Sequence, residues 1–319
     1  MKKRERRVKL TLTNLLFLLR CSKSYILITS ILLLTSSFPQ ESFANKFLSD
    51  TFVSIVKSTK ASIVNIHTTK ILKDSTQHRG FRIKGQGSGV VYNNQGFIVT
   101  NKHVVKDAGE IIIRLYDGSE YKAEVIGTDE RSGIVVLKID AENLTPARFG
   151  NSDSLELGEI VLAIGNPIGL GQTVTSGIIS AKGTSNLRIT GFEDFVQTDA
   201  TINPDSYGGP LVNMDGKVVG ISTLPPEQTA GYFGISLAIP INVVNKAAED
   251  LIKHGRITRG WLGVTAQPVT RELQKALGLK NNLGALVSAI EPGSSAANAG
   301  VKSGDVIIKY NGKKIKNLL

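Results

Sequence analysis

The chain has 319 residues, which is enough for two domains, and its 41% hydrophobic and 20% charged residues exclude a largely disordered protein. Its net charge of +11 is uneven, because residues 1–44 hold eight basic and two acidic residues while the remainder holds 30 basic and 25 acidic residues. No basic run interleaved with aromatic residues points to nucleic-acid binding, and the single cysteine excludes an internal disulfide or a cysteine zinc cluster.

The N-terminal segment has the three regions of a secretory signal peptide. Basic residues from Lys2 to Lys9 precede the ten-residue apolar run Tyr25–Leu34, and Ser42-Phe43-Ala44 places small residues at a cleavage site. We therefore expect residues 1–44 to be a leader, with export to the periplasm or another extracytoplasmic compartment. The alternative is an uncleaved leader that associates the protein with a membrane, although a span needs ~20 apolar residues.

The main body has the pattern of an all-β domain. From Ala61 to about Ile239, short β-branched runs alternate with turn residues, which predicts a sandwich or barrel. We predict no helix before Ile241–His254, whose apolar residues share one face and which we expect to close a domain over residues 45–255. The predicted strands are Ser62–His67, Gly89–Tyr92, Phe97–Thr100, Ile111–Leu115, Ile134–Ile139, Ile160–Ile164, Gly177–Ala181, Pro210–Val212, Lys217–Ser222 and Gly234–Ile239.

A smaller unit is predicted for residues 259–319, after a linker at Arg256–Thr258. A glycine-flanked apolar loop opens it, and Asn311-Gly312 is a hairpin turn signal near its end. The predicted elements are a helix over Arg271–Leu277, a strand over Gly284–Ile290, a helix that begins at Pro292 and a strand over Asp305–Tyr310.

Seven motifs in this order resemble the HtrA/Deg family of trypsin-like serine proteases with C-terminal PDZ domains. They are Gly85–Val91, Phe97–Val105, Ala163–Ile168, Thr173–Ala181, Phe195–Leu211, Gly234–Pro240 and Arg259–Val264. The resemblance implies a mainly β fold, a chymotrypsin-like double β-barrel of two six-stranded barrels followed by a partial PDZ-like domain. It also implies a homotrimer without metal or cofactor, whose partners are unfolded or misfolded polypeptides.

The chemistry of that family needs a serine nucleophile, a histidine base and a carboxylate that orients the histidine. By resemblance His103 is the base, and it is retained, whereas the carboxylate position falls on Gly133 and the serine position on Tyr207. Asp205 stands where the family has a glycine whose N–H forms the oxyanion hole with that of residue 207. A carboxylate there would repel a developing oxyanion.

The same resemblance assigns two groups of residues to peptide binding. A segment of the substrate cleft comprises Gly234, Ile235, Ser236 and Leu237, and a loop that meets a peptide's C-terminal carboxylate comprises Trp261, Leu262, Gly263 and Val264. The alternative is that Trp261 and Leu262 only pack the core of the tail. The 61 residues from 259 to 319 are few for a PDZ domain, so we expect the tail to be poorly ordered or to lean on the barrel domain.

These substitutions predict a protein that binds exposed peptide segments, as a holdase or as a decoy subunit, with absent or very weak proteolysis. Loss of a triad serine or histidine alone can cost ~10⁶ in turnover. One alternative is an active serine endopeptidase that degrades misfolded envelope proteins, with Ser206 as a substitute nucleophile beside His103. Ser206 is a weak substitute, because one residue along the chain displaces an atom by ~3.8 Å. The other alternative is a relic of a decaying gene copy, without function.

Overall fold

The computed structural model describes residues 43–315 except 74–79, 166–171, 186, 188, 192 and 224–233. The chain divides into two compact units, Met1–Phe52 and Val53–Leu319. The first unit is described only from Phe43, where helix α1 (Phe43–Thr59) begins, so nearly all of the predicted leader lies outside the described residues. Within the described part of the chain, no helix is long and apolar enough to cross a membrane.

Helix α1 corrects the prediction that no helix precedes Ile241. The signal was present, because Phe52, Ile55, Val56 and Thr59 recur at the helical spacing i, i+3, i+4 and i+7. Ile55 is buried, and the hydroxyl of Thr59 donates a hydrogen bond of 2.8 Å to the carbonyl of Ile55. A 3-10 turn at Lys60–Ser62 then connects the helix to the first strand of the body.

The first half of the body is a seven-stranded antiparallel sheet in the order β5-β4-β1-β2-β3-β7-β6. Strands β5 and β6 lie at opposite edges, yet only Ala123 separates them in the chain, so the sheet curls until its edges meet. The predicted six-stranded first barrel is thus a rolled seven-stranded sheet in which two short strands replace one. The strands are β1 (Ile63–Lys73), β2 (Gly80–Val91), β3 (Phe97–Asn101), β4 (Glu110–Arg114), β5 (Glu120–Lys122), β6 (Glu124–Asp129) and β7 (Ile134–Lys138), with helix α2 (Lys102–Val105) after β3.

The second half is a closed six-stranded barrel in the order β10-β13-β12-β11-β8-β9, as the resemblance implied. Helix α3 (Ile241–His254) has the predicted bounds and ends at Gly255, whose left-handed φ of 65° suits glycine. The strands are β8 (Ile160–Gly165), β9 (Thr173–Thr184), β10 (Phe195–Thr198), β11 (Pro210–Asn213), β12 (Val218–Thr223) and β13 (Ser236–Pro240).

Each half of the body has its own hydrophobic core, and the loop that precedes β11 contacts both cores. Ile202 packs against both cores, and Tyr207 is buried in the core of the first sheet although its loop leads into β11 of the second barrel. The segment between them therefore crosses the junction of the two halves, where the resemblance places the active site.

The tail forms a three-stranded sheet, β14-β15-β16, and a separate hairpin, β17-β18. The predicted turn at Asn311-Gly312 connects the two strands of that hairpin, and its residues have φ values of 47° and 75°. The expected single strand over Asp305–Tyr310 is split in two. The elements are β14 (Val264–Pro268), α4 (Arg271–Ala276), β15 (Ala285–Ile290), α5 (Ser295–Asn298), β16 (Val306–Ile307), β17 (Lys309–Tyr310) and β18 (Lys313–Lys314).

Candidate active site

The loop of Tyr207 is tied to the first sheet through Ser88 of β2. The Ser88 N–H donates to the carbonyl of Tyr207 at 2.8 Å, and its hydroxyl donates to the carbonyl of Asp205 at 3.1 Å. The loop residues Pro204–Ser206, which precede Tyr207, form a 3-10 turn. Its backbone is therefore set by contacts with the opposite half of the body.

Two glycines after Tyr207 allow the loop to lie this close. Gly208 has a φ of +86°, and a Cβ on it would lie 2.2 Å from the carbonyl oxygen of Ser88. A Cβ on Gly209 would lie 2.3 Å from the carbonyl oxygen of Ile164. Ser222 of β12 completes the attachment, because its carbonyl accepts from Gly208 and its N–H donates to Gly209, both at 2.8 Å. No residue with a side chain fits at position 208 without moving β2.

The ring of Tyr207 stands against the ring of His103 on helix α2. Their centroids are 5.4 Å apart and the planes meet at 79°, an edge-to-face contact. Tyr207 is 8% exposed, and no hydrogen bond joins the two side chains among the described residues. The two positions that the family comparison assigned to base and nucleophile are thus brought together, with an aromatic ring in place of a serine hydroxyl.

The protein surroundings keep His103 uncharged. Desolvation by the surrounding protein lowers the pKa of His103 to about 4, although more than a third of the residue is exposed to solvent. No carboxylate contributes to the pKa of His103, whereas a triad aspartate would stabilise the imidazolium. Burial also raises the pKa of the Tyr207 phenol, so the pair contains a neutral base and a neutral phenol at pH 7.

We expect NMR titration to find the His103 ring neutral until the pH falls towards 4, far below the ~6.5 of a free histidine. Gly133→Asp should raise the pKa of His103, because a nearby carboxylate favours the charged ring. Tyr207→Ala should also raise it by admitting water, whereas Tyr207→Phe, which keeps the ring, should not. A His103 that titrates at or above ~6.5 in the parent protein would contradict this account.

Gly133 lies in the turn between β6 and β7, directly beside the helix of His103. Its carbonyl accepts from the N–H of Lys102 at 2.7 Å, and its N–H donates to the carbonyl of Asp129 at 2.8 Å. Gly133 has a φ of +74°, and a Cβ on it would lie 3.2 Å from Cγ2 of Thr190. The position assigned to the orienting carboxylate therefore adjoins the base but carries no group to hold it.

Asp129, the buried carboxylate of this turn, is engaged elsewhere. It is 1% exposed and accepts hydrogen bonds from the Ser132 hydroxyl at 2.7 Å, the Arg131 N–H at 3.0 Å and Nη1 of Arg259 at 2.7 Å. A second bond, from Nη2 of Arg259, makes the pair bidentate. Burial raises the pKa of Asp129, but these hydrogen bonds outweigh it and hold the pKa below its ordinary value. Asp129 is therefore committed to Arg259 and does not orient His103.

The N–H groups of the loop are turned inward rather than towards a substrate. The Tyr207 N–H donates to the carbonyl of Pro204 at 3.1 Å, and the Ser206 N–H donates to the carbonyl of Asn203 at 2.9 Å. By resemblance to the family, an oxyanion hole at this position would need the N–H groups of residues 205 and 207 to converge on one point in the cleft. Because the 3-10 turn uses the Tyr207 N–H, this arrangement does not form an oxyanion hole.

Ser206 lies on the side of the second barrel. It is 7% exposed, and its Cβ and Oγ would each be 2.4 Å from a Cβ placed on Gly165 of β8. No hydrogen bond joins Ser206 to His103 in the described part of the chain. A role for Ser206 as nucleophile would therefore require the turn to rebuild.

The four cleft residues assigned to peptide binding divide into two pairs. Gly234 is exposed and Ile235 is half-buried, so both can meet a ligand. Ser236 and Leu237 belong to β13, and Leu237 is 0% exposed inside the barrel. Strand β13 lies between β10 and β12, and Leu237 pairs with both Gln197 and Thr223, so Leu237 is taken up by the barrel and Gly234 and Ile235 are the accessible part of the segment.

The apolar loop of the tail faces solvent. Trp261 and Leu262 are 62% and 46% exposed, so they do not serve only as core residues. Gly263 has a φ of +75° and lies where a Cβ would be 2.1 Å from Cβ of Ser294. Strand β14, which begins at Val264, pairs with β15 on one side and is the outer strand of its sheet, the geometry that accepts an added peptide strand.

Two protein-family models match the chain. A trypsin-like peptidase domain model matches residues 87–221, the range that contains His103, Gly133 and Tyr207, and a PDZ domain model matches residues 286–319. Within the described residues no cluster of His, Cys, Asp and Glu side chains could hold a metal ion.

Curated relatives are named as probable periplasmic serine endoproteases, DegP-like. The protein of Chlamydia muridarum is 48% identical over 233 residues, which is 73% of this chain and 47% of that protein. The protein of Chlamydia pneumoniae is 49% identical over 233 residues, 73% of this chain and 48% of its own length. This chain therefore spans about half the length of the curated relatives that it matches.

Solved structures show the same fold. The HtrA-type protease AlgW with a decapeptide superposes with a TM-score of 0.69 at 36% identity, covering 83% of this chain and 87% of that chain. A serine endoprotease from Yersinia pestis superposes with a TM-score of 0.60 at 37% identity, covering 84% and 85%.

Proposed function

This chain belongs to the HtrA family of trypsin-like serine proteases with a C-terminal PDZ domain, and from that membership we propose that it binds exposed polypeptide segments with little or no cleavage. The observation that carries the proposal is the edge-to-face contact of Tyr207 with His103. The ring fills the space in which a serine hydroxyl would face the base. Without that hydroxyl, the retained histidine has no nucleophile to activate.

Two further features support weak or absent proteolysis. No carboxylate orients His103, because Gly133 lacks a side chain and Asp129 is paired with Arg259. The Tyr207 N–H is bonded within its own turn, so the oxyanion would lack one of its two donors. Removing one such donor costs about 10²–10³ in turnover, and losing the triad serine costs ~10⁶. These losses together leave binding as the activity that the site supports.

The peptide-binding parts of the chain support the other half of the proposal. The exposed loop of Trp261 and Leu262 stands at the start of β14, which leaves one edge free of any described strand, and the AlgW structure holds a decapeptide. The protein works in the periplasm or an equivalent compartment, where its relatives are named, and acts on unfolded polypeptides there. Its assembly as a homotrimer follows from the family resemblance and belongs to the same proposal.

Unfolded casein should be retained by the purified protein and stay intact over hours. Binding is measured by fluorescence anisotropy and cleavage by gel electrophoresis of the same samples. Trp261→Ala should weaken the binding of a peptide with a free C-terminal carboxylate by about 30-fold, the effect of a binding hot spot of about 2 kcal/mol. Tyr310→Ala is the matched control, because this aromatic residue of the tail is exposed to a similar degree, 70% against 62% for Trp261, but lies outside the loop.

Discrete casein fragments that disappear in His103→Ala would show that the protein is an active endopeptidase. If the folded protein neither binds nor cuts casein, the proposal that it binds exposed polypeptide segments is wrong. If Trp261→Ala and Tyr310→Ala lose peptide affinity equally, the loop of Trp261 is not part of the binding site.

A further inference from the structure

The positive charge of the chain after residue 44 is concentrated in the tail. Residues 259–319 hold nine basic and three acidic residues, whereas residues 45–258 hold 21 basic and 22 acidic residues. The barrels are therefore close to neutral, and the tail, which carries the loop of Trp261 and Leu262, has a net charge of +6. A binding unit with this excess of one sign attracts partners of the opposite charge and repels partners of its own.

The charges near the free edge of β14 lie at the two ends of that strand. Residues 260–269, which comprise the apolar loop and β14, contain no charged residue. Glu291 stands at the start of the strand, where its N–H donates to the carbonyl of Gly263 at 2.9 Å. The connection from β14 to β15, residues 270–284, holds three basic residues and one acidic residue. The edge therefore leads from the loop to a cationic end.

Two of these basic residues form an open cationic face on helix α4. Arg271 and Lys275 are exposed and four residues apart, so their side chains adjoin on the helix surface. Neither of them forms an ion pair with another described residue. A hydrogen bond with the side chain of Thr270 lowers the pKa of the Glu272 carboxyl, so the acidic residue of this connection is engaged at the start of the helix. Arg271 and Lys275 are thus available to a partner.

A peptide added to β14 would pass this cationic face with residues upstream of its C-terminus. The geometry rests on the proposed function, in which the loop of Trp261 holds the C-terminal carboxylate at the start of β14. The peptide then runs antiparallel to Val264–Pro268, with its last residue near Val264 and its fifth residue from the end near Pro268. Arg271 follows Pro268 by three residues, at most about 11 Å of chain. Long side chains of the peptide and of α4 can meet across that distance.

We propose that the tail selects polypeptides that carry acidic residues at the fifth to seventh positions from a free C-terminus. Aspartate or glutamate at these positions would pair with Arg271 and Lys275, whereas lysine or arginine there would be repelled. Each exposed ion pair contributes little, so two pairs together should favour an acidic peptide about fivefold over a neutral one. The carboxylate loop supplies the anchor, and helix α4 sorts the clients by charge.

The test uses three fluorescent ten-residue peptides with identical last four residues and a free C-terminus. They carry three glutamates, three glutamines or three lysines at the fifth to seventh positions from the end. In fluorescence anisotropy the parent protein should bind the glutamate peptide about fivefold more tightly than the glutamine peptide, and the lysine peptide most weakly. The preference should shrink at high ionic strength. A glutamate peptide with a C-terminal amide should lose most of its affinity, because the loop holds the carboxylate.

Two double variants locate the preference on α4. Arg271→Gln with Lys275→Gln should bind the glutamate and glutamine peptides equally. Arg271→Glu with Lys275→Glu should reverse the order and favour the lysine peptide, a result that a folding defect does not produce. The matched control is Lys309→Gln with Lys314→Gln, which removes two exposed charges that pair across the hairpin β17-β18 and should keep the preference.

The outcomes separate this inference from the proposed function. Equal binding of the three peptides by the parent would overturn the acidic preference and leave peptide binding in place, whereas binding of none of them would contradict both. The role of α4 is wrong if the preference survives in Arg271→Gln with Lys275→Gln, or if the hairpin variant loses it equally. An amidated glutamate peptide that binds as tightly as the free acid would show general attraction to the charge of the tail and overturn the proposal.

Discussion

A triple variant carrying Gly133→Asp, Asp205→Gly and Tyr207→Ser should cleave unfolded casein in a reaction that requires His103. We expect turnover at least ~10³-fold above the parent, with each single substitution staying within about tenfold of background, because triad residues act as a unit. Tyr207→Ser supplies a nucleophile and opens the space beside His103. Gly133→Asp supplies the carboxylate, and Asp205→Gly frees the turn so that the N–H of residue 207 can leave the carbonyl of Pro204.

The scaffold of the loop supports this expectation. The hydrogen bonds from Ser88 and the close approach of Gly208 involve backbone that the substitutions leave in place. Ser206 is kept, because it is buried against Gly165 and a larger side chain would be overpacked there. The substitution at Gly133 carries a cost of about 1 kcal/mol, since its φ of +74° is left-handed, although aspartate tolerates that region better than most residues.

The control is the same triple variant with His103→Ala, which should return cleavage to background. Thermal unfolding of all variants shows whether the chain remains folded. A folded triple variant without His103-dependent cleavage would mean that the loop geometry blocks catalysis, and the missing side chains alone would not explain the parent.

Arg259→Ala should lower the free energy of unfolding by about 3 kcal/mol at pH 7. Asp129 is 1% exposed, and removing its partner leaves a buried carboxylate without its strongest donors. The value is taken from the lower end of the range for broken buried pairs, because the Arg259 side chain is 40% exposed. Arg256→Ala, three residues earlier in the chain, is the matched control, and at this exposed position it should change stability by less than about 0.5 kcal/mol.

The loss should depend on pH with a definite sign. The pKa of Asp129 is depressed in the folded protein, so the ion pair contributes fully above the unfolded pKa of about 4 and is lost as the pH falls through the lower folded value. The difference between parent and Arg259→Ala should therefore shrink below about pH 4. Urea unfolding at pH 7, 5 and 3.5 measures this. Equal losses in Arg259→Ala and Arg256→Ala, or a difference that grows in acid, would contradict the prediction.

Local patterns in the sequence predicted the elements whose shape depends on near neighbours. The helix over Ile241–His254 followed from apolar residues three and four apart and from the glycine that ends it. The turn at Asn311-Gly312 followed from two residues that accept positive φ. The segment around Tyr207 has the same length as the corresponding motif of the family, which assigned Tyr207 to the serine position. Helix α1 was missed although its spacing was present, which is an error of interpretation and not a lack of signal.

Only the tertiary structure decided how distant segments meet. Asp129 pairs with Arg259 across 130 residues, and Ser88 holds the loop of Tyr207 from another sheet, relations that no local pattern contains. The closure of the first sheet at Ala123 likewise depends on strands that adjoin in space. The sequence by itself predicted, through its resemblance to the family, that Tyr207 and Gly133 stand at the positions of the nucleophile and the orienting carboxylate. Only the tertiary structure showed how these positions are arranged. The ring of Tyr207 packs edge-to-face with His103, and the Tyr207 N–H donates to the carbonyl of Pro204. The ring contact depends on how the two halves of the body pack against each other.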